Sequence, residues 1–246
     1  MNNNELFSIK EKEIIITGCS SGIGFDLAKG FIENGAKVIG ISRSQPKEKL
    51  MFSDFYECDI SDDKNIESIG QKIKLKNIKI NVLVNVAGIS LSKGDIKSEI
   101  IRFDNTFNSN VRAMFQIINE FKPLLSSGSS IINFSSIGAN LGFPENPAYC
   151  ASKGAVSALS RALANDLGAQ NIRVNTIAPG YFHTKMTSKS FYNKKEKEIR
   201  EQKTMLGRWG KTNELLGATI FLASDASSYI TGAELVVDGG WLSKGL

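Results

Sequence analysis

The sequence predicts a single α/β domain, a doubly wound parallel sheet of about seven strands with helices on both faces. Three observations predict it. Short β-rich runs alternate with helical patterns along all 246 residues, most of those runs are continuously apolar, and no repeat, Pro/Ser-rich linker or change of composition divides the chain. A strand covered on both faces reads as an unbroken apolar run, and alternating strands and helices with right-handed crossovers wind into this architecture.

The strands are predicted at residues 13–17, 37–42, 55–58, 82–85, 130–135, 173–178 and 234–237. Between the first two lies a helical stretch over 24–34, with Phe25, Ala28 and Phe31 or Ile32 on one side. A second helix is read from Val111, Met114 or Phe115, Ile118, Phe121 and Leu125, and a third over 149–167 from Val156, Leu159, Leu163 and Leu167; both sets keep close to a 3.6-residue period. After Pro179-Gly180, residues 185–206 break the alternation with polar and basic side chains. They read as a substrate-loop insertion over the strand ends, able to act as a mobile lid.

Composition excludes several classes of function. With 41% hydrophobic and 22% charged residues the chain is an ordinary globular one, long enough to bury a core without staples. Cys19, Cys58 and Cys150 are an odd count without metal-ligand spacing, which suits a reducing compartment and predicts no metal site. The first residues, Met1-Asn-Asn-Asn-Glu-Leu, lack the pattern of a signal peptide, and no apolar run approaches the roughly 20 residues of a membrane helix. A cytoplasmic protein without a membrane partner is expected. The net charge of +5 is scattered apart from residues 189–203, and a solvated segment accounts for that run more simply than nucleic acid does.

The first strand runs into Thr17-Gly18-Cys19-Ser20-Ser21-Gly22-Ile23-Gly24 and then a helix. Glycines at such a turn let the backbone approach a pyrophosphate, whose charge sits at the helix N-terminus. A glycine trio can be a plain tight turn; its place in the first strand–turn–helix unit makes it a Rossmann-type dinucleotide loop. The second strand ends in Ser42 and Arg43, where an acidic residue would hold the ribose 2′-hydroxyl of NAD. A hydroxyl and a guanidinium suit a 2′-phosphate instead, so NADP(H) is preferred over NAD(H).

These motifs continue in order along the chain: Asp59-Ile60, Asn85-Val86-Ala87-Gly88, Asn110, Ser136, Tyr149-x-x-x-Lys153, Pro179-Gly180-x-x-x-Thr184, Tyr229-Ile230-Thr231-Gly232 and Val237-Asp238-Gly239-Gly240. Together they resemble the short-chain dehydrogenase/reductases, 3-oxoacyl-[acyl-carrier-protein] reductase-like members among them, over essentially the whole chain. The resemblance implies that Gly18, Ser20, Ser21, Gly22, Ile23 and Gly24 cradle the cofactor and that Asp59 and Ile60 meet its adenine. Asn85, Ala87 and Gly88 would line the ribose side, and Pro179, Gly180, Phe182 and Thr184 would hold the nicotinamide amide. The family often has a second Asn where Val86 stands, a departure expected to alter local strand packing. A homotetramer, or a homodimer, is implied by the same resemblance, with the small residues of 148–164 permitting close helix contact.

Tyr149 and Lys153 are spaced i, i+4 and share one helix face. Alone, such a pair is usually a surface neighbour pair; behind a dinucleotide loop it is an acid–base pair. A free tyrosine titrates near pH ~10, and a lysine cation together with a positive nicotinamide would lower that toward neutrality. By resemblance Ser136 hydrogen-bonds the substrate oxygen, Asn110 holds a water that links Lys153 to solvent, and Tyr149 and Lys153 also touch the cofactor. Ser135 is expected to face the other way. His183, the single histidine, reads as a loop side chain rather than a hydrolytic base, and Cys150 as helix packing. Trp209 and Trp241 could be core, interface or substrate wall.

The chemistry predicted is reversible hydride transfer between nicotinamide and a carbonyl or alcohol. The substrate is not legible. A 3-oxoacyl carrier reductase is one reading, weakened because only Lys122 lies near residues 124–128, where an acidic carrier would need basic side chains; sugars, polyols, steroids and quinones are others. The pocket is expected to be shaped by the loop 89–102 and the insertion 185–206. A catalytically silent NADP-binding regulator would keep the cleft without turnover. A nucleotide-sugar epimerase or dehydratase shares the Tyr-Lys pair but needs a larger C-terminal region.

Overall fold

The computed structural model describes residues 3–91 and 96–245. Seven strands form one parallel sheet in the order β3-β2-β1-β4-β5-β6-β7. They are β1 (Glu13–Thr17), β2 (Lys37–Ser42), β3 (Asp54–Glu57), β4 (Ile80–Asn85), β5 (Leu125–Phe134), β6 (Arg173–Pro179) and β7 (Glu234–Val237). The order reverses beside β1, so the carboxyl ends of β1 and β4 open a crevice there, where ligands of doubly wound sheets bind.

Side chains of successive residues leave a strand on opposite faces, and here both faces are covered. Ile15, Ile39, Leu83, Ile131 and Val174 pack on one side with α3 (Asp63–Leu75), α5 (Ala113–Phe121) and α6 (Pro147–Gly168). Ile14, Ile16, Val38, Val82, Val84 and Ile132 pack on the other with α2 (Gly22–Glu33) and α9 (Leu216–Ala223). Each fully buried aliphatic side chain contributes about 1.5–3 kcal/mol, which is why the strands are the most legible part of the sequence.

Most element limits shift by one to a few residues from the sequence reading, and three differences are larger. The helix expected to reach Leu125 stops earlier. Pro123 stands in a 3₁₀ turn over Lys122–Leu124, and Leu125 instead opens β5 by pairing with Ile80. A π-helical turn, Asn108–Arg112, joins α4 (Glu99–Phe107) to α5; such turns often sit at functional positions. The insertion also carries two helices, α7 (Ser188–Tyr192) and α8 (Lys194–Lys203), after the short N-terminal α1 (Asn3–Leu6) and the other elements already given. α8 has no apolar stripe. Asn193 caps it through Glu196 N–H, and i,i+4 ion pairs Lys194–Glu198, Lys197–Glu201 and Glu196–Arg200 support it. Of the loop 89–102, residues 92–95 lie outside the described residues. Among the described residues no helix is long and apolar enough to cross a membrane.

Candidate functional site

The glycine loop forms the floor of a cleft of about 980 Å³, its open mouth included, at the crevice beside β1. Gly18 has φ +74°, and a Cβ there would lie 2.8 Å from the Ala87 Cα; a Cβ on Gly24 would lie 2.3 Å from the Gly18 carbonyl oxygen. Backbone therefore comes against backbone, as a pyrophosphate cradle requires. Ser21 precedes α2 in extended conformation and makes no side-chain cap, and the first turn of α2 has no acidic residue. Its N–H groups stay available to an anion. Gly18, Ser20, Ser21, Gly22, Ile23, Gly24, Ser42, Arg43, Asp59, Ile60, Ala87 and Gly88 all line this cleft. Gly24→Ala should force the loop open and abolish measurable NADPH binding in a fluorescence titration while the circular dichroism spectrum stays that of the parent.

The cleft's polar groups are arranged for a nucleotide. Ser42 donates its hydroxyl to Ser20 Oγ at 2.9 Å, and Arg43 beside it is exposed and makes no ion pair among the described residues. Asp59 Oδ1 accepts from both the N–H and the hydroxyl of Ser61, bonds that hold the carboxyl below its usual range, and Arg43 adds to the effect. Asp59 Oδ2 is left for an amino group. Asn85 donates to Asn133 Oδ1 at 2.9 Å, while its own buried Oδ1 has no partner. Such an orphan acceptor at the end of β4 fits a ligand hydroxyl. Val86 packs against the apolar cluster under α2 and also lines the cleft.

A second chamber continues the first, sharing Ile23, Val86, Gly88, Thr184 and Met186. Ser136, Tyr149, Lys153, Pro179, Gly180, Phe182 and Thr184 line it. β5 delivers Ser136 to the sheet edge, where its Oγ accepts from Gly138 N–H at 3.0 Å and lines the same chamber as the Tyr149 phenol. Ser135 turns the other way, donating to the Ile177 carbonyl and to Glu234. Lys153 is one turn beyond Tyr149 on α6, its Nζ 5.8 Å from the Tyr149 ring centre and donating to the Phe134 carbonyl at 2.8 Å. Burial lowers the Lys153 pKa to about 8.

Burial also raises the Tyr149 pKa, with Ser136 opposing and Cys150 and Tyr181 adding to the rise. The expectation that Lys153 and a positive nicotinamide together lower it concerns the cofactor-bound enzyme. In the chain by itself, desolvation of the phenolate outweighs a lysine that is itself pushed toward neutrality. Any shift toward a working tyrosinate has to come with the positive nicotinamide.

Asn110 is buried in the π turn, and its side chain is fully engaged. Oδ1 accepts from Ile89 N–H at 2.7 Å, and Nδ2 donates to the Ile89 carbonyl and to Ser152 Oγ. It ties the loop after β4 to α6 beneath Lys153, so a water held by this residue would have to meet its main chain. Phe182 lines the second chamber. Its ring is buried in the core under Gly210 and its carbonyl accepts from Thr187 Oγ1 at 2.6 Å, leaving its N–H for an amide. Thr187, unnoticed in the sequence, also accepts from Thr184 N–H and fixes this turn.

An aromatic stack extends outward from Tyr149. Phe143 lies nearly parallel to Tyr149 at 6.4 Å, Tyr181 is 6.2 Å from Phe143, and Trp209 and Trp241 meet Tyr181 at 5.3 and 4.8 Å. Cys150 accepts a hydrogen bond from Phe143 N–H, a local anchoring role. His183 stacks on Phe191 at 3.9 Å. Nothing at Phe143 marks it in the sequence; Tyr181 could have been found from its place inside the Pro-Gly-x-x-x-Thr motif.

Residues 18–242 match the family described as enoyl-(acyl carrier protein) reductase. The chain is 34% identical to a 2-dehydro-3-deoxy-D-gluconate 5-dehydrogenase of Pseudoalteromonas atlantica, over 98% of its own length and 99% of the relative's. It is 33% identical to the 3-oxoacyl-[acyl-carrier-protein] reductase of Thermotoga maritima, over 94% and 98%. A Pseudomonas aeruginosa RhlG structure with NADP aligns at TM-score 0.86 and 28% identity, covering 98% of this chain and 99% of that one. A 4-hydroxyisoleucine dehydrogenase with NADH aligns at 0.85 and 28%, covering 95% and 100%. This protein belongs to the short-chain dehydrogenase/reductase family, the oxidoreductases that pass a hydride between a nicotinamide cofactor and a C–O centre.

Proposed function

We propose that the protein is an NADP(H)-dependent dehydrogenase that interconverts a secondary alcohol and a ketone on a polyhydroxylated sugar acid, using Ser136, Tyr149 and Lys153. The observation that carries this reading is one chamber, continuous with the dinucleotide cleft, that brings together Ser136, Tyr149 and Lys153, with Lys153 one helical turn beyond Tyr149. Bound in the cleft, the nicotinamide would accept or supply the hydride. Ser136 orients the substrate oxygen, Tyr149 gives it a proton in reduction or removes one in oxidation, and Lys153 returns the proton to Tyr149 while holding the ribose. Pro179, Gly180 and Thr184 would keep the carboxamide in place.

Two findings support the substrate class. The relative at 34% identity acts, by its name, on 2-dehydro-3-deoxy-D-gluconate, and the aromatic wall offers flat faces to the C–H side of a sugar chain. A 3-oxoacyl substrate is the second reading, favoured by the Thermotoga relative. A panel of sugar acids with NADP⁺, run beside a 3-oxoacyl thioester with NADPH, separates the two. Turnover of the thioester alone sinks the sugar-acid reading.

The NADP preference rests on Ser42 and Arg43. A charge-assisted phosphate contact is worth about 1.5–3 kcal/mol, so Arg43→Ala should weaken NADPH roughly 10- to 100-fold and leave NADH unchanged. Parallel fluorescence titrations decide it, and equal NADH and NADPH affinities in the parent protein would remove the assignment.

A further inference from the structure

The aromatic stack that meets Tyr149 through Phe143 forms a wall that holds donors without acceptors. Arg200 projects from α8 and lays its guanidinium over the Tyr181 ring, 4.9 Å from the centre. Its Nη1 donates to the Glu196 carbonyl at 3.0 Å and faces the Glu196 carboxylate at 3.3 Å. The opposite edge is different. Nε is buried with no partner, and Nη2 makes no hydrogen bond among the described residues. On the other side of Tyr181, Trp209 is almost wholly buried and its Nε1 also lacks a partner. Ser190 Oγ, next to Phe191 in the same aromatic cluster, is a third orphan.

Guanidinium and indole are donor-only groups, so whatever completes this wall must bring acceptors. An Nε–Nη2 edge matches the two oxygens of a carboxylate, and cation and ring together favour a planar anion over a neutral group. Tyr181 joins the wall to the reaction centre, since its ring meets Phe143, which lies beside Tyr149. Neither the glycine loop nor Arg43 is part of it.

We infer that Arg200, with Nε1 of Trp209, whose indole meets the same Tyr181 ring, is the subsite that reads the carboxylate of the substrate and so sets specificity for a hydroxy acid over the corresponding neutral polyol. This rests on the sugar-acid reading above and makes it specific. Nε is covered in the ligand-free arrangement, so engagement shifts the guanidinium off Tyr181 or moves α8. Arg200 positions the acid end and takes no part in proton or hydride transfer.

The test is the binding of D-gluconate to the NADP⁺-loaded protein, read from the fluorescence of Trp209 and Trp241, in the parent and in Arg200→Met and Arg200→Lys. NADP⁺ affinity serves as the control for folding. Arg200→Met should weaken gluconate at least 10-fold, Arg200→Lys should fall between, and sorbitol should show no comparable preference for the parent. Unchanged gluconate affinity in Arg200→Met, or equal losses for gluconate and sorbitol, overturns the subsite. Failure of the parent to bind gluconate overturns it as well. Turnover of the parent on gluconate and on neutral ketones then shows which reading has failed: activity confined to neutral ketones removes the sugar acid, whereas gluconate turnover with an unaffected Arg200→Met removes only the subsite.

Discussion

Tyr149→Phe is expected to lower kcat about 10²- to 10⁴-fold in both directions while leaving NADPH affinity unchanged, because the hydroxyl transfers the proton and the ring alone holds the geometry. The parent enzyme should show a matching pH asymmetry. Burial raises the Tyr149 pKa, so the protonated acid needed for reduction persists through neutral pH. Oxidation needs the phenolate, and its kcat/KM should climb with pH, by up to tenfold per unit below the ionisation. Initial rates in both directions across neutral to alkaline pH read this out. An oxidation rate that does not depend on pH would remove Tyr149 as the base.

Lys153→Met is expected to cost at least ~10²-fold in turnover and yet to stabilise the cofactor-free protein. Burial lowers the Lys153 pKa from 10.5 to about 8. Below about pH 8 both folded and unfolded chains carry the proton, and the cost of burying the charge is fully present. Between about 8 and 10.5 the unfolded chain binds the proton more tightly than the native one, so native stability rises with pH through that window. At 1.36 kcal/mol per unit the rise is about 3 kcal/mol, and Lys153→Met should lack it. Urea unfolding of both proteins at the two ends of the window isolates the difference, since other groups titrate alike in both. A parent protein whose stability falls relative to Lys153→Met over this range would contradict a desolvated lysine.

The central strands were legible because they are buried on both faces, whereas β3 and β7 at the edges are only half-buried, and the glycine loop was legible because close approach of Gly18 to Ala87 admits no side chain. Ser136 is distinguished from Ser135 by its place in the ordered family motifs; β5 itself ends at Phe134, and Ser135 turns to Glu234. α8 was not legible as a helix, since it is held by ion pairs along a polar surface and by Arg200 on Tyr181 rather than by an apolar stripe. The π turn that aims Asn110 at Ile89 has no periodic signature. The direction of the Tyr149 shift could not be read from Tyr-x-x-x-Lys spacing either. It depends on how much protein surrounds the phenol, and that is set by Ser136, Cys150 and Tyr181, which come together only in the fold.

Deuteride transfer tests the central claim most directly. NADPH deuterated at the reactive C4 position would be incubated with the parent protein, with Tyr149→Phe and with a panel of keto sugar acids, and the products examined by mass spectrometry. Deuterium should appear at a single carbinol carbon with the parent and fall by about 10²-fold or more with Tyr149→Phe. Tight NADPH binding with no deuterium in any product of that panel, or of a wider carbonyl panel, would contradict it and leave a protein that binds the dinucleotide without using it.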